Sequence, residues 1–371
     1  LYVSKLKVYN YRNLRDQTVE LHNGPVYITG RNGNGKTNLV EALYLLSGSR
    51  SFRTNTQSEL VQWGKKEASV FGTVVTKTGA VELGIAISLG QKQGQRTAFK
   101  NGEPQGSIAE LMGSCSVIAF SPADLSLVKG SPAGRRKFLD RHMVDLQPAF
   151  LNVLMAYQRA LESKSALLKS PATNVRDLEP WNELLVEYGG KIVDNRHNFL
   201  EQLIKKSSPL HHDFAHADGR LELRLESDFI KSEQEGVLSP GELRREFERV
   251  AAKEIALRSC VLGPHRDDVA ITLAEVDSRA YASQGQTRSI VLALKLGVIE
   301  LIEERLGEPP IVVLDDVDSE LDAERTEHLF RALAHHERQI FITGTGAPPH
   351  ELSQPGRPAV QRVEVQSGEI V

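Results

Sequence analysis

The sequence predicts an α/β fold in which one lobe is built from both ends of the chain and interrupted by a mainly helical insertion. Three observations predict it. A short β-branched run, Val26–Thr29, feeds a glycine-rich stretch, Gly30–Gly35. Two apolar runs of the buried parallel-strand kind, Ile311–Leu314 and Gln339–Thr343, return only near the far end. Between 148 and 206 the apolar residues recur at helical spacing instead.

A chain of 371 residues has length for two or three domains and a sizeable core. With 40% hydrophobic and 25% charged residues it has the composition of a globular protein rather than a disordered or fibrous one. Its two cysteines, Cys115 and Cys260, stand alone in apolar stretches, which excludes a disulfide framework and a four-cysteine zinc site. No long uncharged apolar run or signal-peptide pattern is present, so a cytoplasmic protein with no membrane partner is expected. The net charge of −3 means that binding to nucleic acid would need a local basic surface.

In chain order, residues 1–122 read mainly as strands, with Val70–Thr76 and Val81–Ser88 joined around Thr78 and Gly79. Phe150, Leu154, Tyr157, Leu161 and Leu168 then mark one amphipathic helix, and Trp181, Leu184, Tyr188, Ile192, Phe199 and Leu203 a second. Lys169–Asn174 separates them, which predicts an antiparallel hairpin whose aromatics are packing residues. The cluster from His211 to His216 reads as a surface loop rather than a metal site. Leu221–Leu225 alternates as a strand, and Ser239-Pro240 opens a helix carrying Leu243, Phe247, Val250 and Ile255. The expected lobes are therefore 1–122 with 280–371, and 123–279.

Gly30-Arg31-Asn32-Gly33-Asn34-Gly35-Lys36-Thr37 completes a G-x-x-x-x-G-K-T pattern between a strand and a helix through Leu39, Val40, Ala42, Leu43 and Leu46. Such a loop turns its amide N–H groups inward onto phosphate oxygens, and the helix amino terminus adds a favourable dipole. Lys36 is expected on the β and γ phosphates and Thr37 on Mg²⁺. A chance Gly-rich turn would not bring all these features together in the required context. The strand Ile311–Leu314 delivers Asp315 and Asp316 at its carboxyl end, where ligands sit in parallel sheets. Asp315 suits Mg²⁺, and Asp316 is placed to orient or deprotonate an attacking water, so Lys36, Asp315 and Asp316 form the catalytic set. Asp315 follows Thr37 by 278 positions, and an Asn-Lys-x-Asp motif is absent, which argues against compact kinases and GTPases.

Upstream of the acidic strand, Ser283-Gln284-Gly285-Gln286 opens an apolar helix and offers a second anion-binding terminus. Together with Ser319–Asp322 this order of motifs resembles the ATP-binding-cassette ATPases and, among them, the head domains of SMC-like DNA proteins. Tyr9–Asn13, Ser49–Thr54, Phe120–Leu125, Lys129–Pro132, Arg135–Asp140, Gly263–Asp268 and Ser283–Gln286 look like the RecF family over almost the whole chain.

The resemblance implies an ABC-type P-loop ATPase head that acts in bacterial DNA replication and recombinational repair. It implies an ATP-dependent homodimer, DNA binding at single-stranded gaps or junctions, slow hydrolysis that ends the dimer, and the mediator proteins RecR and RecO as partners. It also implies that Ser283, Gly285 and Gln286 reach the γ phosphate held by the opposite subunit, and that Asp322 lies at the dimer interface. The nucleotide-contacting set then comprises Gly30 through Asn38, Arg12, Ser283, Gly285 and Gln286. Departures from the wider cassette pattern are Asp316 in place of Glu, Gln284 in place of Gly and Thr343 in place of a switch His; Ser121 is a candidate for the contact that related heads make with a metal-binding Gln. A transporter ATPase or a nucleotide-gated scaffold with little ATPase are the alternatives.

Candidate DNA-phosphate ligands are Lys5, Lys7, Arg12 and Arg15 near the first strand, Arg50 and Arg53, Lys65 and Lys66, and Arg135, Arg136 and Lys137. For any one cluster a solvated face is the default, and the SMC-like likeness favours Arg50 and Arg53. With no base-reading motif, DNA would be recognised by backbone and shape.

Overall fold

The computed structural model describes residues 1–371 except 55, 91–93, 216–218, 233–235, 317–320, 334–337, 347, 349 and 351–357. Two compact units emerge: the first takes Leu1–Leu125, Asp213–His216 and Arg288–Val371, the second Ser126–His212 and Ala217–Thr287. The start of the Ser283 helix thus falls in the second unit, whereas the sequence boundary at 280 put it in the first.

In the first unit, β1 (Tyr2–Tyr9), β2 (Gln17–Glu20), β3 (Pro25–Thr29), α1 (Lys36–Leu45), β4 (Glu67–Thr76), β5 (Gly79–Leu89), β6 (Gly94–Lys100), β7 (Glu103–Pro104) and β8 (Val117–Phe120) follow in order. The antiparallel sheet runs β2-β1-β4-β5-β6-β7. In β4 fully buried residues alternate with partly exposed ones, Ala68, Val70 and Val74 turning inward.

The second unit holds α2 (Ser126–Lys129), α3 (Pro132–Leu146), α4 (Phe150–Leu168), α5 (Val175 to the unit boundary; the helix runs to Ala215), β9 (Leu221–Glu226), β10 (Ile230–Ser232), β11 (Gly236–Val237), α6 (Pro240–Leu257), β12 (Asp268–Leu273), β13 (Val276–Asp277) and α7 (Ser278–Tyr281). The two helices expected between 148 and 206 are thus α4 and α5. Ser239 caps α6 through a reciprocal box with Glu242, with Pro240 at the first helical position. The histidine cluster corrects the expectation of a loop: His211 is buried and both it and His212 lie on α5, because the apolar helical period continues to Phe214. His216 lies outside the described residues.

The chain returns to the first unit along α8 (Gln284–Leu306), then β14 (Ile311–Leu314), α9 (Ala323–Leu333), β15 (Ile340–Gly344), β16 (Gln361–Gln366) and β17 (Glu369–Ile370). The second sheet runs β17-β16-β3-β15-β14-β8, with every pair from β16 to β8 parallel. Ile311–Leu314 are all buried, which is why this strand reads as a continuous apolar run rather than an alternation. Leu39, Val40 and Leu43 of α1 join residues of both sheets in one core, among them Val70, Ile85, Ile28 and Val313. Buried Gln339 ties the sheets further: its Oε1 accepts from Val3 N (2.8 Å) and its Nε2 donates to Val3 O (2.8 Å). No described helix is long and apolar enough to cross a membrane.

Candidate functional site

The Gly30–Thr37 loop joins β3 to α1 at the carboxyl end of the parallel sheet. Gly35 caps α1 at φ 114°, a conformation that favours glycine, and a Cβ there would meet Asn13 Oδ1 at 2.9 Å. Lys36 Nζ donates to Gly30 O (2.7 Å) and Asn32 Oδ1 (3.4 Å), so its charge is folded back over the mouth of the loop. Asn34 Nδ2 donates to Val365 O (3.0 Å), and Gly368 N donates to Asn34 O (3.0 Å), so the β16–β17 turn braces the loop from behind. Asn13 holds its front, donating to Gly33 O (2.9 Å) and accepting from Asn38 Nδ2 (2.6 Å).

Across the sheet, Thr37 Oγ1 donates to Asp315 Oδ1 (3.0 Å) and Thr343 Oγ1 donates to the same oxygen (2.9 Å). Thr343 Oγ1 also accepts from Asp316 N (2.9 Å), where the backbone adopts φ 57°. Burial pushes the Asp315 carboxyl above its ordinary range, while the Thr343 and Thr37 hydroxyls and the Arg53 charge pull it down. Asn32, Gly33, Gly35, Lys36, Thr37, Asn38, Arg53, Asp316 and Thr343 line a cleft of about 380 Å³. An amide-lined loop, a cation and hard oxygen donors within one cleft suit a polyphosphate carrying Mg²⁺. Ser121 N donates to Asp124 Oδ2 (2.6 Å), and Ser121 lines a separate small cavity with Asp315.

Arg12 is not among the residues that line this cleft. Its guanidinium pairs with fully buried Glu41 of α1 through Nε (2.5 Å) and Nη2 (2.7 Å), while Tyr11 and Ser51 hydroxyls donate to the same carboxylate (2.9 and 2.5 Å). A bidentate pair of this kind holds both groups in place, which makes Arg12 an indirect support. Burial, then the Glu41 charge, pushes the Tyr11 phenol up, keeping it a hydrogen-bond donor. Ser51 Oγ also accepts from Arg53 N (2.9 Å) and Thr54 N (3.0 Å), shaping the segment that carries Arg53. Sequence reasoning missed Glu41 and Asn13. A lone acid within Leu39-Val40-Glu41-Ala42-Leu43 is the signal that would have found the former.

At the start of α8, Ser283 and Gln286 form a reciprocal cap: Ser283 N donates to Gln286 Oε1 (2.9 Å) and Gln286 N to Ser283 Oγ (3.2 Å). Gly285 lies in the first turn of the same helix. Of Ser319–Asp322, Ser319 and Glu320 lie outside the described residues. Asp322 Oδ1 accepts from Arg325 N (2.9 Å) and caps α9, and Arg325 Nε donates to Ser289 Oγ (3.0 Å).

Several of the expected DNA ligands are already engaged. Lys5 pairs with Glu20 (2.7 Å), Lys7 with Glu82 (3.2 Å) and Arg15 with Glu369 (2.5 Å). Arg135 corrects the expectation most clearly: it is 3% exposed and clamps Asp268 through Nε (2.6 Å) and Nη2 (2.8 Å). Arg136 donates to Asp267 O (2.5 Å) and is half-buried. Arg53, exposed, donates to Asn38 Oδ1 (2.7 Å) at the rim of the cleft. Arg50, Lys65 and Lys66 are exposed.

The Gly263–Asp268 block, whose role was illegible in the sequence, ties the second unit together. Arg196 of α5 bridges Asp140 of α3 (2.9 Å) and Asp267 (2.8 Å), while Tyr157 and His265 share a 2.7 Å hydrogen bond.

Comparison with known proteins agrees with this fold. The family described as RecF/RecN/SMC N terminal domain matches residues 2–350. A protein of Symbiobacterium thermophilum named DNA replication and repair protein RecF is 38% identical over 347 residues, 93% of this chain and 92% of its own. Its namesake in Bacillus subtilis is 36% identical across all of both chains. A solved structure described as the recombination mediator protein RecF-ATP in the RecFOR pathway matches with a TM-score of 0.88 and 31% identity, covering 100% of this chain and 97% of that one. The Smc head of Pyrococcus furiosus, at 14% identity and a TM-score of 0.56, shares the fold. With an ABC/SMC-like head and full-length likeness of this order, the chain belongs to the RecF family of DNA replication and repair proteins.

Proposed function

We propose that this chain is an ATP-operated DNA clamp that helps mediator proteins load recombinase at single-stranded gaps or single/double-strand junctions. The observation that carries the nucleotide part is the convergence of Thr37 and Thr343 on one Asp315 oxygen beside the amide-lined loop and Lys36. ATP with Mg²⁺ supplies the bond that is cleaved and the charge that joins two subunits. Lys36 exchanges Gly30 O and Asn32 Oδ1 for phosphate oxygens, Thr37 and Asp315 hold the metal, and Asp316 orients or deprotonates water. Ser283, Gly285 and Gln286 act on the opposite subunit's nucleotide, a role supported by the order of motifs and the family resemblance. Asp316 is a shorter carboxylate than Glu, which supports slow turnover that times release rather than driving work. The ATP-bound relatives are described in the RecFOR pathway, which supports RecR and RecO as partners; the composition supports a cytoplasmic setting.

The test is fluorescence anisotropy of labelled blunt, gapped and tailed duplex at fixed salt, with and without ATP and Mg²⁺. Tight binding only with ATP, lost in Ser283→Arg and Lys36→Met, is the expected result. Binding that ignores ATP would defeat the clamp, and phosphate release no higher than in Lys36→Met would leave a nucleotide-gated scaffold.

A further inference from the structure

Trp63 is 98% exposed, the extreme among the large hydrophobic residues described. An indole this free contributes almost nothing to folding, yet the turn that carries it is firmly built. Lys65 N donates to Gln62 O (3.0 Å), closing a four-residue turn with Trp63 and Gly64 in the centre, and Gly64 takes φ 80°, the conformation such a turn reserves for glycine. Leu60, Val61 and Ala68 on either side are buried, and Gln62 N donates to Asn10 O (2.8 Å), fixing the turn to the end of β1. The last residue of that strand, Tyr9, is itself 51% exposed.

The charges beside this turn differ from those on the strands. Lys5 and Lys7 of β1 are held by Glu20 and Glu82, whereas Lys65 and Lys66 follow Trp63 and Gly64, exposed and with no ion pair among the described residues. Glu59 and Glu67 also flank the turn and limit its field, so an anionic partner would be held by the ring as much as by net charge. Protein hot spots place an aromatic inside a collar of apolar neighbours that exclude water. Here the residues next to it in the chain are Gln62, Gly64, Lys65 and Lys66, and the almost fully exposed ring has no such collar. That combination matches single-stranded nucleic acid, whose bases stack on aromatic faces while lysines meet the phosphates.

We propose that Trp63 is a stacking platform for an unpaired DNA base, with Lys65 and Lys66 taking flanking phosphates, so that this turn reads the single-stranded side of a gap or junction. The proposal rests on the DNA-binding reading above and adds what distinguishes a gap from a plain duplex.

The chain has two tryptophans, so Trp181→Phe leaves Trp63 as the sole indole reporter in the full-length protein. Its emission is measured with ATP and Mg²⁺ against blunt duplex and against duplex with an oligodeoxythymidylate tail, alongside anisotropy of the labelled DNA. The expected result is saturable quenching by tailed duplex at the concentrations where anisotropy rises, and little change with blunt duplex. Trp63→Ala in the otherwise native chain weakens tailed-duplex binding by about 5- to 100-fold, leaves blunt duplex unchanged, and Trp63→Phe recovers part of the loss. Rising anisotropy with unmoved emission, and equal affinity in Trp63→Ala, would overturn the stacking platform while leaving DNA binding intact. No anisotropy rise on any DNA would remove both readings. A Trp63→Ala variant that loses a mediator protein but binds tailed DNA normally would make the turn a protein contact and overturn the proposal.

Discussion

Thr343 shows how one hydroxyl can organise the edge of the cleft. It donates to the Asp315 carboxylate and accepts from the Asp316 backbone N–H, so it ties the Asp315 side chain to the backbone that carries Asp316. Valine keeps the volume but takes the hydroxyl partner from the part-buried Asp316 N–H and from a lone pair of buried Asp315, at a cost of about 1–3 kcal/mol. In Thr343→Val, ATP turnover is expected to fall at least tenfold with nucleotide affinity within a few-fold of the native value, and Thr343→Ser should restore most of it. Single-turnover hydrolysis and equilibrium binding, measured side by side, separate the two effects. A loss of affinity equal to the loss of rate would assign Thr343 to the fold of the site instead.

At the level of elements, the second unit depends on buried polar ties between α3, α4, α5 and the Gly263–Asp268 segment. His265 is the titratable member: burial, together with the nearby Arg266, Arg136 and Lys164 charges, pushes its imidazole from 6.5 down to about 4. Between those values the unfolded chain holds a proton that the folded chain lacks, so the unfolded state binds more protons and stability falls as pH falls through that window. The loss is complete near pH 4 and amounts to about 3 kcal/mol. Denaturant midpoints from pH 7 to 4 should therefore drop less steeply in His265→Gln than in the native protein; parallel curves would show that His265 does not carry this dependence. The same segment explains why the family block could be recognised but not interpreted. Its value lies in pairs such as Arg196 with Asp267 and Arg135 with Asp268, whose partners are far apart in the chain.

For the molecule as a whole, the nucleotide reading predicts assembly controlled by the γ phosphate. Light scattering should give the mass of two chains with ATP and Mg²⁺, one chain with ADP, and one chain in Ser283→Arg under every condition. A mass that ignores nucleotide would rule out the closed dimer. Ser283 is a good probe because its side chain caps α8 at an exposed helix start, so the substitution tests the interface more than the core.

The sequence by itself determined the elements and the residues of the glycine-rich loop and the strand end that face the cleft. Gly30–Thr37 and Asp315 were legible because a phosphate loop and a strand-end carboxylate are local patterns, set by backbone conformation and hydropathy within a few residues. The parallel strands, the helices α4 and α5 and the capped helix at Ser239 followed from period and cap chemistry for the same reason. Tertiary structure alone decided which charges are free. Arg12, Arg15 and Arg135 look alike in sequence to Lys65 and Lys66, yet the fold pairs them with Glu41, Glu369 and Asp268 and leaves the two lysines beside an uncovered Trp63. Whether a charge is spent inside the protein depends on partners brought together from distant parts of the chain, and local sequence carries no record of that meeting.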